Sequence, residues 1–174
     1  MKTRSTWAAL LVFTAAGVVS ASADPAKLDL FGGYTATHRS QEQFHGVDVA
    51  VYKRLSSRLG FGADVAMHRA RVVGLNVDLM SLMVGPRLDL TGGDKVRLFV
   101  RAQGGLVRSK ESLAFFDGDL GARTNPGVLA GLGLDYGLGS RVGLRLLAEY
   151  YGIDSELQWD SQPRASLGVT YRLK

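Results

Sequence analysis

The stretch PGVLAGLGLDYGLGSRVGLRLLAEYYG, residues 126–152, decides the fold. Alternate residues from Val128 onward are Ala130, Leu132, Leu134 and Tyr136, all apolar or aromatic, and between them stand Leu129, Gly131, Gly133 and Asp135. The second half repeats the pattern. Val142, Leu144, Leu146, Ala148 and Tyr150 fall on one face, and Gly143, Arg145, Leu147, Glu149 and Tyr151 on the other. A period of two is a strand signal, because successive side chains of a pleated strand point to opposite sides. Gly137 to Arg141 join the halves as a tight hairpin. Each arm has the ~9–11 residues with which a tilted strand crosses a bilayer. An apolar stripe ending in an aromatic, backed by a small or polar stripe, is the pattern of a transmembrane β-barrel strand.

The same alternation runs outward along the chain. Strands are predicted at 27–37, 44–53, 59–69, 77–90, 96–108 and 164–174, in addition to the two of the hairpin. Pro86 removes one ladder donor in the fourth strand, so a bulge is expected there. Connections alternate in length. Turns at 54–58, 91–95 and 137–141 are short, and loops at 38–43, 70–76, 109–124 and 154–163 are longer and more polar. The fold class is therefore all-β: an eight-stranded antiparallel up-and-down barrel with short turns at one end and longer loops at the other. Registers follow from the turns. A turn centred on Gly93 sets Leu88 opposite Leu98 and Asp89 opposite Arg97. One centred on Gly139 sets Leu134 opposite Leu144 and Asp135 diagonal to Arg145.

Composition narrows the function. The 174 residues contain no cysteine, which excludes disulfides and cysteine metal sites. Lys2 and Arg4, the apolar run Trp7 to Val19 and Ala21-Ser22-Ala23 read as a secretory leader. Residues 1–23 are thus expected to be removed, leaving residues 24–174 as one exported domain. Without the two leader charges the formal +5 becomes +3. Lysine and arginine are scattered through strands rather than clustered, which argues against a nucleic-acid partner.

Three segments, LDLFGGYTAT (28–37), MVGPRLDL (83–90) and GLGLDYGLGSRVGLRLLAEYYG (131–152), resemble the small eight-stranded outer-membrane barrels grouped around the transmembrane domain of outer membrane protein A. The resemblance covers Asp24 to Lys174. It implies an outer-membrane location reached by Sec export, outer-membrane lipid and the insertion machinery as partners, a monomer, and no cofactor. Such chains usually end on an aromatic. This one ends Tyr171-Arg172-Leu173-Lys174, so either Tyr171 serves as the insertion cue or insertion departs from the usual form. No peptidoglycan-binding domain is expected after the last strand.

The inward stripes collect Asp48, Asp64, Arg87, Asp89, Arg97, Arg101, Asp135, Arg145, Glu149 and Arg172. An eight-stranded barrel is only wide enough for side chains to fill, and unpaired buried charges are costly. These ten are read as a structural charge plug, with a narrow porin-like path as the alternative. A soluble lipocalin-like carrier of apolar ligands would need the stripes reversed. His38 with Ser40, and the inward His68, lack a spacing that enforces hydrogen-bond reach, so no catalytic residue is assigned. His45 and His68 lack the partners of a metal site. Leu113, Phe115 and Phe116 form the apolar cluster of the longest loop. They either contact a partner or pack over the barrel mouth on strands extended beyond the membrane.

Overall fold

The computed structural model describes residues 28–39, 42–72, 75–93, 95–113, 119–155 and 158–173. The proposed leader lies outside them. Eight strands form one closed antiparallel barrel: β1 (Leu28–Arg39), β2 (Glu42–Arg54), β3 (Leu59–Val72), β4 (Leu75–Asp89), β5 (Val96–Leu113), β6 (Asp119–Gly137), β7 (Val142–Ser155) and β8 (Gln158–Leu173). Each strand pairs with its sequence neighbour, and β1 closes on β8, with Leu28 opposite Leu173. Closure leaves no unpaired edge, which is what a sheet needs in a medium that cannot hydrogen-bond its backbone.

Every stripe assigned from the period of two faces as expected. Val47, Val49, Leu132 and Leu146 are about half exposed on the outer surface, while Asp48, Ala50, Leu129 and Leu147 are buried inside. The outer surface is an apolar belt. Phe61, Tyr136 and Tyr171 lie toward its short-turn end, and Tyr34 and Tyr150 toward the other. Beyond Met67, Met80 and Leu106 the outward positions turn polar, beginning with Arg69, Asp78 and Arg108. This arrangement is opposite to that of a soluble carrier, whose apolar stripe would line the interior.

Three expectations need correction. First, the long connections are largely strand. Pairing runs out to Arg39–Glu42, Val72–Leu75 and Ser155–Gln158, and β5 and β6 reach 18 and 19 residues. Outside the belt both faces of a strand meet water, so the alternation that marks a strand in the sequence is lost while the backbone ladder continues. Second, Pro86 makes no bulge. The β3–β4 register passes through Phe61–Pro86 unchanged, and β4 keeps one register with β5 on both sides of a two-residue gap at Gly85 and Pro86. Proline sits on the outer face, where its missing N–H opens the ladder without displacing it. The register shift that does occur lies between Lys110 and Ser112, on the extended part of β5. Third, both turn registers slip by two residues along the partner strand. Leu88 faces Val100 and Leu134 faces Leu146, so Asp89 lies opposite Phe99 and Asp135 directly opposite Arg145. In each case the turn centres one residue later than the glycine that suggested it, a change that preserves which side chains face inward.

Glycine on the inner stripes makes room for aromatic rings. Phe99 lies over Gly133 of the facing strand, Tyr52 over Gly62, and Phe31 against Gly33 and Gly168. A Cβ at Gly133 would overlap the Phe99 ring, whereas one at Gly139, in the turn, would meet open space. Gly133→Val should therefore lower stability to urea by ~1–3 kcal/mol through overpacking, and Gly139→Ala should have little effect. Equal stability of the two variants would show that the ring does not need the glycine seat.

The charged lumen as candidate functional site

Inside the barrel the ten charged residues read from the sequence all take inward positions, and they divide into two clusters separated by a layer of rings. The upper cluster, away from the short turns, is centred on Arg164, which is 2% exposed. Its Nε donates to Glu149 Oε2 at 2.9 Å, and its Nη2 reaches Asp48 Oδ2 at 3.2 Å and Asp64 Oδ2 at 3.3 Å. Arg101 meets the same acids from the other side. Its Nη1 lies 3.1 Å from Asp64 Oδ2, its Nε is bonded to Glu149 Oε1, and Nη1 also contacts the Tyr52 hydroxyl. Two guanidiniums are thus set among three carboxyl groups. Above them Ser166 Oγ donates to Thr35 Oγ1 at 2.9 Å, and His68 Nε2 lies 3.3 Å from the same oxygen.

The lower cluster is richer in cations. Arg145 grips Asp135 with a two-pronged contact, Nε–Oδ1 at 2.6 Å and Nη2–Oδ2 at 3.0 Å. Arg87 bridges Asp135 and Asp89, at 2.8 Å each. Arg97 Nε lies 3.5 Å from Asp89, a diagonal contact rather than the facing pair expected. At the rim, Asp29 takes Arg172 at 3.3 Å and Arg54 at 3.9 Å. Five arginines here share three carboxylates.

Phe31, Tyr52 and Phe99 form the layer between the clusters. The Arg87 guanidinium carbon sits 3.5 Å from the Phe99 centroid, and that of Arg145 lies 5.1–5.3 Å from all three rings. Ring faces carry negative potential, so they receive cations that have too few carboxylates. Further up, Met83, Val107, Leu129, Tyr151 and Ile153 fill the lumen with apolar contacts, and Phe44, Ala70 and Leu79 pack beyond them.

Arg164, Asp29 and Arg54 were not among the residues singled out from the sequence. The parity of Ser166, Thr170 and Arg172 points Arg164 inward, but Pro163 places it at a strand start when the polar run before it is read as loop. Asp29 takes its partners, Arg54 and Arg172, from the two neighbouring strands. Among the other candidates, His38 and His45 face outward, with the His45 ring stacked on Tyr34 at 5.9 Å between centroids, while His68 is inside. The histidines therefore do not gather. Leu113 belongs to β5 and pairs with Leu75, whereas Ser40, Phe115 and Phe116 lie outside the described residues.

The closed eight-stranded architecture is that of the small outer-membrane β-barrels. Neisserial surface protein A superposes with a TM-score of 0.67 at 16% identity, covering 87% of this chain and 99% of that one. The attachment invasion locus protein Ail of Yersinia pestis, solved with the heparin analogue sucrose octasulfate, gives 0.60 at 18% identity, covering 86% and 100%. The N-terminal β-barrel domain of Pseudomonas aeruginosa OprF gives 0.56 at 16% identity, covering 86% and 100%. The sequence matches no family model and no curated relative.

Removing Arg164 leaves three carboxyl groups facing a single guanidinium. Arg164→Met should cost ~3–5 kcal/mol, the usual penalty for breaking a buried pair by one partner. Adding Asp48→Asn and Asp64→Asn to it should return part of the loss. Urea unfolding of the detergent-folded protein measures both, and an unaltered midpoint in the single variant would count against a coupled network.

Proposed function

We propose that this protein is an integral outer-membrane barrel with a structural and surface-interaction role, whose lumen is closed to solutes. The observation that carries the reading is the pairing of two features. An apolar belt flanked by aromatics surrounds the barrel, and above the short-turn mouth the interior is filled by charged, aromatic and aliphatic side chains. The belt has the chemistry of a lipid contact, and the filled interior has no room for a continuous water path. The fold shared with Neisserial surface protein A and Ail supports the outer-membrane location.

In this reading the short turns face the periplasm and the extended ends of the strands face the exterior. β5 and β6 project farthest beyond the belt and carry Arg108, Lys110, Arg123 and Thr124 into solvent. A rigid paired ribbon of this kind presents a defined surface to a partner. Export through the Sec pathway, insertion by the outer-membrane machinery, and action as a monomer without a cofactor complete the proposal.

Three measurements test it. A cysteine at Thr124 should react with a membrane-impermeant maleimide on intact cells, and one at Ser57 should not; the reverse labelling would invert the orientation. Leu146 lies mid-belt between Leu134 and Leu167. Leu146→Arg should therefore destabilise the bilayer-inserted protein by ~2–4 kcal/mol, and a neutral effect would remove the lipid contact from the belt. In planar bilayers the unmodified protein should give no large, steady conductance steps. Their appearance would establish an open pore instead.

A further inference from the structure

The short-turn end of the lumen is not filled. A small pocket opens there beside the β6–β7 turn. Its charged lining consists of Asp29, Arg97, Asp135, Arg141, Arg145 and Arg172. Four guanidiniums thus face two carboxylates. Both carboxylates are already engaged, Asp135 by Arg145 and Arg87, and Asp29 by Arg172 and Arg54.

Two of the arginines are buried and incompletely bonded. Arg97 is 7% exposed and Arg145 1%, yet Nη1 of each finds no hydrogen-bond partner in the protein. Arg97 also lies among like charges, with Arg54, Arg87 and Arg172 near it and its Nε 3.5 Å from Asp89. A buried N–H without an acceptor is costly, and more so when charged. Arg87, Arg101 and Arg164 leave a guanidinium N–H unbonded in the same way, so what singles out this end of the lumen is its surplus of positive charge beside open space, which an incoming anion would offset. Arg145 forms the inner wall of the pocket, and its guanidinium carbon lies 5.1–5.3 Å from the rings of Phe31, Tyr52 and Phe99. The enclosed space of the pocket is that of roughly two or three water molecules, which restricts a bound group to something compact.

We propose that this mouth is a binding site for a compact oxyanion of the phosphate class. Arginine suits such a ligand, because the planar fork presents two parallel donors to a pair of oxygens. Arg97, Arg141 and Arg172 line the mouth that the anion enters, and Arg145 adds its charge from the inner wall. The site goes beyond the role proposed above and does not depend on whether the barrel conducts. If the short turns face the periplasm, the ligand comes from that side, either as free phosphate or as a phosphate group on a larger molecule that remains outside the pocket.

Equilibrium dialysis of the detergent-folded protein against labelled inorganic phosphate, at ionic strength held constant with chloride, tests the site. One saturable site is expected. Arg97→Gln should weaken it about tenfold or more, the loss of one charge-assisted contact, and Arg141→Gln should weaken it several-fold. Arg141 is exposed in a turn, so its variant decides the matter if Arg97→Gln does not fold. Asp29→Asn, which removes a competing acceptor, should tighten binding. Competition by glucose 1-phosphate separates the two sources: displacement at similar concentration shows that a phosphate carried on a larger group enters, and its failure confines the site to the free ion. No saturable phosphate binding, equal displacement by chloride, or an affinity unchanged in both arginine variants would overturn the proposal. Planar-bilayer conductance is a separate readout, so an open pore and an absent anion site remain distinguishable results.

Discussion

The bidentate grip of Arg145 on Asp135 is the interaction around which the interior is arranged. It joins facing residues of β6 and β7, and the same carboxylate holds Arg87 from β4 across the lumen. One side chain therefore ties three strands together at the level of the ring layer. Eight strands enclose too little space for water to solvate charges independently. Every inward charge must find its partner within reach of a fixed backbone position, which is a geometric demand on register as much as on composition. A register slip by one residue would turn these groups toward lipid and the apolar belt toward the lumen. The network and the belt therefore penalise the same error.

The two clusters also explain the mixture of residue types inside. In the network as a whole, seven arginines meet six carboxyl groups, distributed as two against three above the rings and five against three below. Carboxylates alone do not neutralise the lower group. The aromatic faces beneath Arg87 and Arg145 supply part of what is missing, and glycine lets those rings lie flat against the facing strand. Glycine, aromatic and arginine are thus a single device spread over several strands. Tyr52 links its halves, with its ring toward Arg145 and its hydroxyl on Arg101.

Much of this was legible in the sequence, for identifiable physical reasons. Within the belt the two faces of each strand meet lipid and protein interior, so side chains alternate sharply and the inward identities of Asp48, Asp64, Arg101 and Glu149 could be read directly. Outside the belt the contrast disappears, and the ends of β5 and β6 look like loop although their backbones are paired. Register was legible only modulo two. Parity fixes which face a residue occupies, but not whether the turn after β6 centres on Gly139 or Ser140, and the difference converts Asp135–Arg145 from a diagonal neighbour into a facing pair. Arg164 shows the remaining limit. Its partners Asp48, Asp64 and Glu149 stand on three other strands, and proximity across a lumen leaves no trace in sequence spacing.

The unequal division of charge connects the architecture to what the barrel can do. Both clusters leave guanidinium N–H groups without partners, Arg101 and Arg164 above the rings and Arg87, Arg97 and Arg145 below. What sets the lower end apart is its surplus of arginines over carboxylates beside a pocket open to water. Gathering like charge in a narrow lumen costs stability, and sealing by itself gives no reason to gather it at the mouth. The buried Arg145 that meets the ring layer is therefore also the inner wall of a cationic recess. In the proposed reading, closure of the barrel and an affinity for anions at its mouth are two results of the same arginines.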